Sequence, residues 1–254
     1  MLILLTNDDG IQAAGLRALY NELRKIARVT VVAPDSQRSS VGHGITLSHP
    51  IWQARYPLNK KGEGIGISGT PADCVKFGIS VVLKKKPDLV VSGINLGPND
   101  GCSVFYSGTV AGAREGALYG IPSMAVSLDT FTDPRYDYAA RVAGRLAKKL
   151  AAASSIPKGT FLSVNVPNKP ERQIKGIRVT RQGLAPILGS FVKRRDPNLR
   201  DYYWMTGRLP KSRKNLTCDT DALLQGYVTV TPVSCDLTDD RTLTALKDWN
   251  LDAG

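Results

Sequence analysis

Met1-Leu2-Ile3-Leu4-Leu5-Thr6-Asn7-Asp8-Asp9-Gly10 opens the chain as an apolar run that stops abruptly in an amide, two adjacent carboxylates and a glycine. Residues 2–5 are short, apolar and followed at once by turn formers, which reads as a strand buried on both faces of a parallel sheet. In an open α/β sheet the ligand crevice lies outside the carboxyl ends of the strands, where Asn7, Asp8 and Asp9 then fall. Two neighbouring carboxylates repel unless a cation or a set of donors neutralises them. A hard divalent ion does this economically, because Mg²⁺ takes one or two carboxylates and leaves its other positions to water and phosphate oxygens. An Asx turn in which Asp9-Gly10 reverses the chain explains the same residues equally well. The stretch alone leaves both readings open.

Outward from Gly10, residues 15–23 carry apolar side chains at helical spacing, and Arg28-Val29-Thr30-Val31-Val32-Ala33-Pro34 is a second buried strand, which completes a βαβ unit. Its polar loop, Asp35 to Ser40, comes to the same sheet edge as Asp8 and Asp9. There Ser39 and Ser40 offer hydroxyls to a hard ion, and Arg38 offers phosphate a planar fork of donors. Residues 41–68 are less regular, with short strands around an Asn59-Lys60-Lys61-Gly62 turn. Gly69-Thr70-Pro71-Ala72-Asp73 reads as a helix start with Thr70 as N-cap, which gives Asp73 a structural role, and the helix runs to the basic residues 84–86. Asp88 to Asn99 repeats the opening logic: an apolar strand, then Asn95 as a neutral oxygen ligand and Asn99 as a further polar group, both also good turn residues. Ser107-Gly108-Thr109 directly precedes a helix of small residues from Val110 to Leu118. The three sit where free N–H groups and the helix dipole favour an anion, and an N-cap by Ser107 or Thr109 is compatible with that.

Residues 121–128 and 160–167 read as further strands, with a long amphipathic helix beginning near Tyr138 between them. Beyond Asn168 the composition turns basic and aromatic, with Lys193-Arg194-Arg195, Tyr202-Tyr203-Trp204 and Lys211-Ser212-Arg213-Lys214. A nucleic-acid surface has this composition. A protruding hairpin used for subunit contacts has it too and is preferred, because charge runs are usually solvated faces. A strand over 226–232 and a short terminal helix over 242–249, anchored by Trp249, close the chain. The expected organisation is a catalytic core over 1–168, with 169–254 supplying strands, hairpin and terminal helix to the same domain.

Bulk properties set the outer bounds. The 254 residues are 42% hydrophobic and 22% charged, ordinary for a globular chain able to bury a large core. No apolar run is long enough to span a bilayer and no signal-peptide pattern is present, so a cytoplasmic protein without a membrane partner is expected. Four scattered cysteines form no C-x-x-C pair, and two histidines exclude a multi-histidine metal centre. A formal net charge of +12 points to anionic partners, either small phosphorylated substrates or polyanions.

Three strand ends with oxygen-rich loops and a fourth loop ending at a helix N-terminus are more than turn chemistry explains. At this point the sequence resembles the stationary-phase survival proteins of the SurE family, metal-dependent phosphatases of nucleoside monophosphates. The resemblance rests on Thr6-Asn7-Asp8-Asp9-Gly10, Ala33-Pro34-Asp35 with Arg38-Ser39, Gly69-Thr70-Pro71-Ala72-Asp73-Cys74-Val75, Ser92-Gly93-Ile94-Asn95 with Gly97 and Asn99, and Tyr106-Ser107-Gly108-Thr109-Val110. Arg195-Asp196-Pro197, Tyr202-Tyr203-Trp204 and Gly226-Tyr227-Val228 with Thr231-Pro232 add to it. It implies an α/β, Rossmann-like three-layer fold with a mainly parallel sheet, plus a C-terminal β-hairpin that reaches a neighbouring subunit in a homodimer or homotetramer. It implies that Asp8, Asp9, Ser39 and Asn95 hold one divalent ion per subunit, Mg²⁺ or Mn²⁺, with Asp8 and Asp9 the catalytic pair. Asn99, Ser107, Gly108 and Thr109 then line the phosphate pocket. The implied activity is hydrolysis of nucleoside 5′- and 3′-monophosphates by a metal-activated water, and the strong positive charge leaves room for short polyphosphate. An aspartyl-phosphate intermediate is a second enzymatic reading, and a nucleotide- or RNA-binding protein with a basic hairpin is the non-enzymatic one.

Overall fold

A computed structural model describes residues 1–59, 62–184, 188–208 and 215–249. The basic cluster 211–214 and the Lys60-Lys61 part of the expected turn lie outside the described residues. Strand β1 (Leu2–Thr6) leads through α1 (Ala14–Leu23) to β2 (Arg28–Pro34), and a β3 (Gln53–Asn59) and β4 (Gly62–Ile67) pair follows. Next come α2 (Pro71–Phe77), β5 (Leu89–Leu96), α3 (Gly108–Leu118), β6 (Ser123–Asp129), α4 (Tyr136–Ala152) and β7 (Thr160–Pro167). The last part holds β8 (Ile177–Val179), β9 (Leu188–Arg195), β10 (Asp201–Arg208), α5 (Asp219–Leu224), β11 (Val228–Ser234) and α6 (Asp240–Lys247).

Nine strands form one sheet in the order β3-β4-β2-β1-β5-β6-β7-β11-β8. The six from β4 to β7 run parallel, β3 pairs antiparallel with β4 and β11 antiparallel with β7, and β8 is parallel to β11. From β1 the chain builds outward to β2 and β4 on one side, and from β5 to β6 and β7 on the other. The order therefore reverses between β1 and β5, which places the ligand crevice at their carboxyl ends.

Strand side chains alternate between two cores. Ile3, Leu5, Val31, Val91, Val126 and Val164 pack with α1 and α4, whereas Leu4, Val32 and Val90 pack with Val75 and Ile79 on the opposite face. On that second face α3 covers Ala125 and Phe161 through Val110, Ala113 and Ala117. Its glycines allow the contact: a Cβ at Gly116 would lie 2.4 Å from Ser123 Oγ and 2.7 Å from Val90 Cβ. Helices on both faces of a mostly parallel sheet make the expected three-layer α/β fold.

Thr70 caps α2 in a full capping box, its hydroxyl accepting from the Asp73 N–H while the Asp73 carboxylate accepts from the Thr70 N–H. The structural role read for Asp73 is therefore the observed one, and α2 continues as a wider π-helical stretch, Gly78–Leu83, rather than as one regular helix. Strands β9 and β10 form a separate antiparallel hairpin, as expected of the basic aromatic stretch. Its turn is organised by Asp196, which accepts from the N–H groups of Asn198 and Arg200, both at 2.9 Å. The terminal helix departs from expectation: α6 ends at Lys247, buries none of its residues, and leaves Trp249 66% exposed instead of anchored. No helix among the described residues is long and apolar enough to cross a membrane, and all four cysteines are free thiols.

Candidate active site

The turn after β1 is built by its own side chains. Asn7 Nδ2 donates to Gly10 O (3.0 Å) and Asn7 Oδ1 accepts from the Gly10 N–H (3.2 Å), while Gly10 takes φ +100°, open to glycine at little cost. The Arg38 N–H donates to Asp8 O (2.7 Å) and the Ile11 N–H to Pro34 O (2.8 Å), which fastens the β2 loop to the β1 loop. The turn and the carboxylates are thus one device: the Asx turn sets Asp8 into the crevice and Asp9 beside it, against the end of β5.

Asp8 is only 4% exposed. Its carboxylate accepts from the Thr109 hydroxyl and also from the Thr109 backbone N–H, in the first turn of α3. Burial pushes its pKa up to about 6; the Thr109 hydrogen bond opposes that rise and the neighbouring Asp9 charge adds to it. Burial likewise raises Asp9, offset in part by the Leu96 N–H, which donates to Oδ2 at 3.1 Å. Two carboxylates side by side, both costly to ionise in the bare protein, are a pair that a bound cation would stabilise.

The α3 N-terminus reaches this pair because of Gly108. A Cβ there would lie 2.8 Å from Asp8 Cβ and 3.2 Å from Arg38 O, so only glycine admits the approach. Ser107 caps the helix, its Oγ accepting from the Val110 N–H at 3.1 Å. The N-cap is therefore present, and the positive end of the helix dipole is directed at the Asp8 carboxylate.

Asp8, Ser39, Asn95, Asn99 and Ser107 line one cleft of about 240 Å³, walled by the exposed aromatics Tyr106 and Phe131. Asn95 Nδ2 donates to Gly97 O (2.7 Å), so its Oδ1 is the atom left to coordinate. Thr109 is fully buried and its side chain is committed to Asp8 rather than to the cleft, and Asp9 stands beside the cleft against the end of β5. No group of three or more His, Cys, Asp or Glu side chains among the described residues could hold a metal. The candidate donors in the cleft and beside it, the Asp8 and Asp9 carboxylates, the Asn95 amide oxygen and the Ser39 hydroxyl, are all hard oxygens, which could hold Mg²⁺ or Mn²⁺ and do not suit a soft ion.

Several supporting residues carry no motif. The Asn99 N–H donates to Asn165 Oδ1 (2.7 Å), and Asn99 Nδ2 donates to Ser127 Oγ (2.9 Å). Asn95, Ser127, Asn165 and Thr229 stand opposite one another across β5, β6, β7 and β11, a row of buried polar residues at the crevice end of the sheet. The available signal was a polar residue at the same depth in successive buried strands. His43, given no role from sequence, sits against Glu115 with 2.7 Å between Nε2 and Oε2.

Residues 3–187 match the family described as "Survival protein SurE". The chain is 45% identical to the 5′-nucleotidase SurE of Chlorobaculum tepidum over 249 residues, 98% of this chain and 94% of that one. It is also 45% identical to the 5′-nucleotidase SurE of Thermosipho melanesiensis, over 98% of this chain and 97% of the relative. The crystal structure of the SurE protein from Aquifex aeolicus superposes with a TM-score of 0.84 at 41% identity, covering 97% of this chain and 98% of that one. With identity of this order along nearly its whole length, and with the motif-bearing loops meeting at one sheet edge, the chain belongs to the SurE family.

Proposed function

We propose that this protein is a divalent-metal-dependent phosphomonoesterase that hydrolyses nucleoside 5′-monophosphates to nucleoside and phosphate. The observation that carries the reading is the buried Asp8 carboxylate held at the N-terminus of α3, in a cleft whose other donors are Ser39 and Asn95. The relatives named 5′-nucleotidase, similar along nearly the whole chain, supply the substrate class.

Asp8, Asp9, Asn95 and Ser39 are the residues that would hold Mg²⁺ or Mn²⁺. Bound there, the ion supplies positive charge to the transferred phosphoryl group and acidifies a water. The protein's own groups do the rest. Ser107 and the Gly108 N–H at the start of α3 orient the non-bridging phosphate oxygens, where a preorganised dipole stabilises developing charge; the Thr109 and Val110 N–H groups are already given to Asp8 and Ser107. Asn99, held by Asn165 and Ser127, fixes the far wall. Asp9, whose Oδ2 accepts from the Leu96 N–H, keeps Oδ1 to take the proton of the incoming water as the ester P–O bond breaks, and the leaving nucleoside oxygen takes a proton from solvent. Tyr106 and Phe131 offer aromatic faces to a base at the cleft mouth.

The same site accommodates 3′-monophosphates, and the net charge of +12 favours short polyphosphate as an additional substrate. Association into a homodimer or homotetramer through the β9–β10 hairpin is supported by its exposed Phe191, Trp204 and Met205. Lys193 and Arg195 are partly neutralised there by Asp201, at 2.6 and 2.9 Å, which favours a subunit contact over a nucleic-acid surface.

Phosphate release from a panel of nucleoside 5′- and 3′-monophosphates and short polyphosphate, with Mg²⁺, Mn²⁺ or EDTA, tests the reading. Release that requires metal and prefers nucleoside monophosphates is expected. Tight, salt-sensitive RNA binding without metal-dependent turnover would replace it with a binding function.

A further inference from the structure

Residues 35–52 run past the crevice without regular secondary structure, yet they are tied down repeatedly. Arg38 donates from Nη2 to Ser68 O (3.0 Å), and the Gly42 N–H donates to Tyr106 O (3.0 Å). The Thr46 N–H donates to both Asp73 carboxylate oxygens (3.1 and 3.2 Å), and Thr70 Oγ1 donates to Gly44 O (2.7 Å). Between these points His43 turns inward to Glu115, whose side chain is 4% exposed.

Both oxygens of this buried carboxylate are used. Oε2 meets His43 and Oε1 meets Lys76 Nζ of α2 at 2.7 Å. One group on α3 therefore links α2, α3 and the loop. A buried carboxylate is retained only with such partners, because ionising it alone in the interior is costly. Glu115 lies two turns along the helix whose first turn carries Ser107, Gly108 and Thr109. The same helix thus fixes the anion-facing end of the cleft and the loop that carries Ser39.

We propose that Glu115 is a positioning residue that acts through His43: it holds the segment from Ser39 to Thr46 on α3, and so holds the Ser39 hydroxyl in the cleft with Asp8 and Asn95. The metal-affinity part of this inference rests on the reading of Ser39 as a ligand; the anchoring part does not.

The test uses His43→Ala, which removes the anchor while leaving Glu115 paired with Lys76, and His43→Gln, which restores an N–H donor. Hydrogen exchange of the metal-free full chain, thermal melting and the Mn²⁺ concentration for half-maximal phosphate release are measured for each. For His43→Ala, exchange at Gly42 and Thr46 rises about tenfold or more while α3 keeps its protection. The Mn²⁺ requirement rises about tenfold, in the range seen when groups that orient metal ligands are removed, while the rate at saturating Mn²⁺ stays within about twofold. His43→Gln recovers most of both effects. Unchanged exchange over 39–46, equal acceleration across α3, or a loosened loop with a wild-type Mn²⁺ requirement would each overturn the proposal. Absence of Mn²⁺-dependent release in the wild type would be a failure of the phosphatase reading instead, and the exchange data would still decide whether His43 anchors the loop.

Discussion

Asp8 is where stability and function pull apart. With its pKa raised to about 6 from an ordinary value near 3.8, the folded protein carries a penalty that is full above pH 6 and relieved as pH falls toward the ordinary value. A shift of that size corresponds to on the order of 3 kcal/mol. Asp8→Asn removes the charge while keeping an oxygen for the Thr109 hydroxyl, so it raises the metal-free melting temperature at pH 8 by several degrees. Added Mn²⁺ raises the wild-type melting temperature, does so less as pH drops through about 6 because protons compete for the carboxylate, and leaves Asp8→Asn unmoved. Calorimetry at pH 5.5 and 8 checks both statements. The convergence of Asp8, Ser39 and Asn95 on one cleft was legible in the sequence because each stands at the carboxyl end of an apolar strand or in the loop just after it. Ser127, Asn165 and His43 were not, because their value comes from partners 28 to 72 residues away.

Between elements, the site depends on how closely helices approach the sheet. A Cβ at Gly15 in α1 would fall 2.1 Å from Ile94 O, directly before Asn95. Gly15→Ala therefore forces α1 and β5 apart, costs roughly 1–3 kcal/mol by denaturant unfolding, and weakens metal-dependent turnover through Asn95. Glu115 gives a pH signature to the α2–α3 contact. Burial raises its pKa, but the hydrogen bonds from His43 and Lys76 outweigh that and hold it below the usual glutamate range. Its contribution is then present above the unfolded value, about pH 4.3, and lost as pH falls through the lower folded value. The melting-temperature gap between wild type and Glu115→Gln should be widest near pH 7 and close as pH drops below about 4. The helix starts at Thr70 and Ser107 were readable from capping residues, whereas the π-helical turn after Phe77 leaves no pattern distinct from an ordinary helix. Trp249 misled because an aromatic at a helix end signals an anchor only where the fold provides a surface to receive it, and α6 buries no residue.

For the molecule as a whole, alternating strands and helices were enough to read a parallel sheet, and the loop chemistry was enough to place the crevice. The reversal of strand order between β1 and β5 is a property of the assembled sheet, and it explains why loops at residues 8, 39, 95 and 107 converge. The hairpin projects a two-stranded sheet with Trp204 62% exposed on it. Trp204→Glu should shift the protein to a smaller species in light scattering behind size exclusion, with its far-ultraviolet dichroism retained. Whether the β1–β5 crevice is a metal-dependent phosphomonoesterase site is decided by Mn²⁺-dependent phosphate release from a nucleoside 5′-monophosphate, measured for wild type and Asp8→Asn. Release by the wild type that EDTA abolishes is expected, with a loss of at least about a hundredfold in the variant. Full activity in Asp8→Asn, or wild-type release indifferent to EDTA, would contradict that assignment.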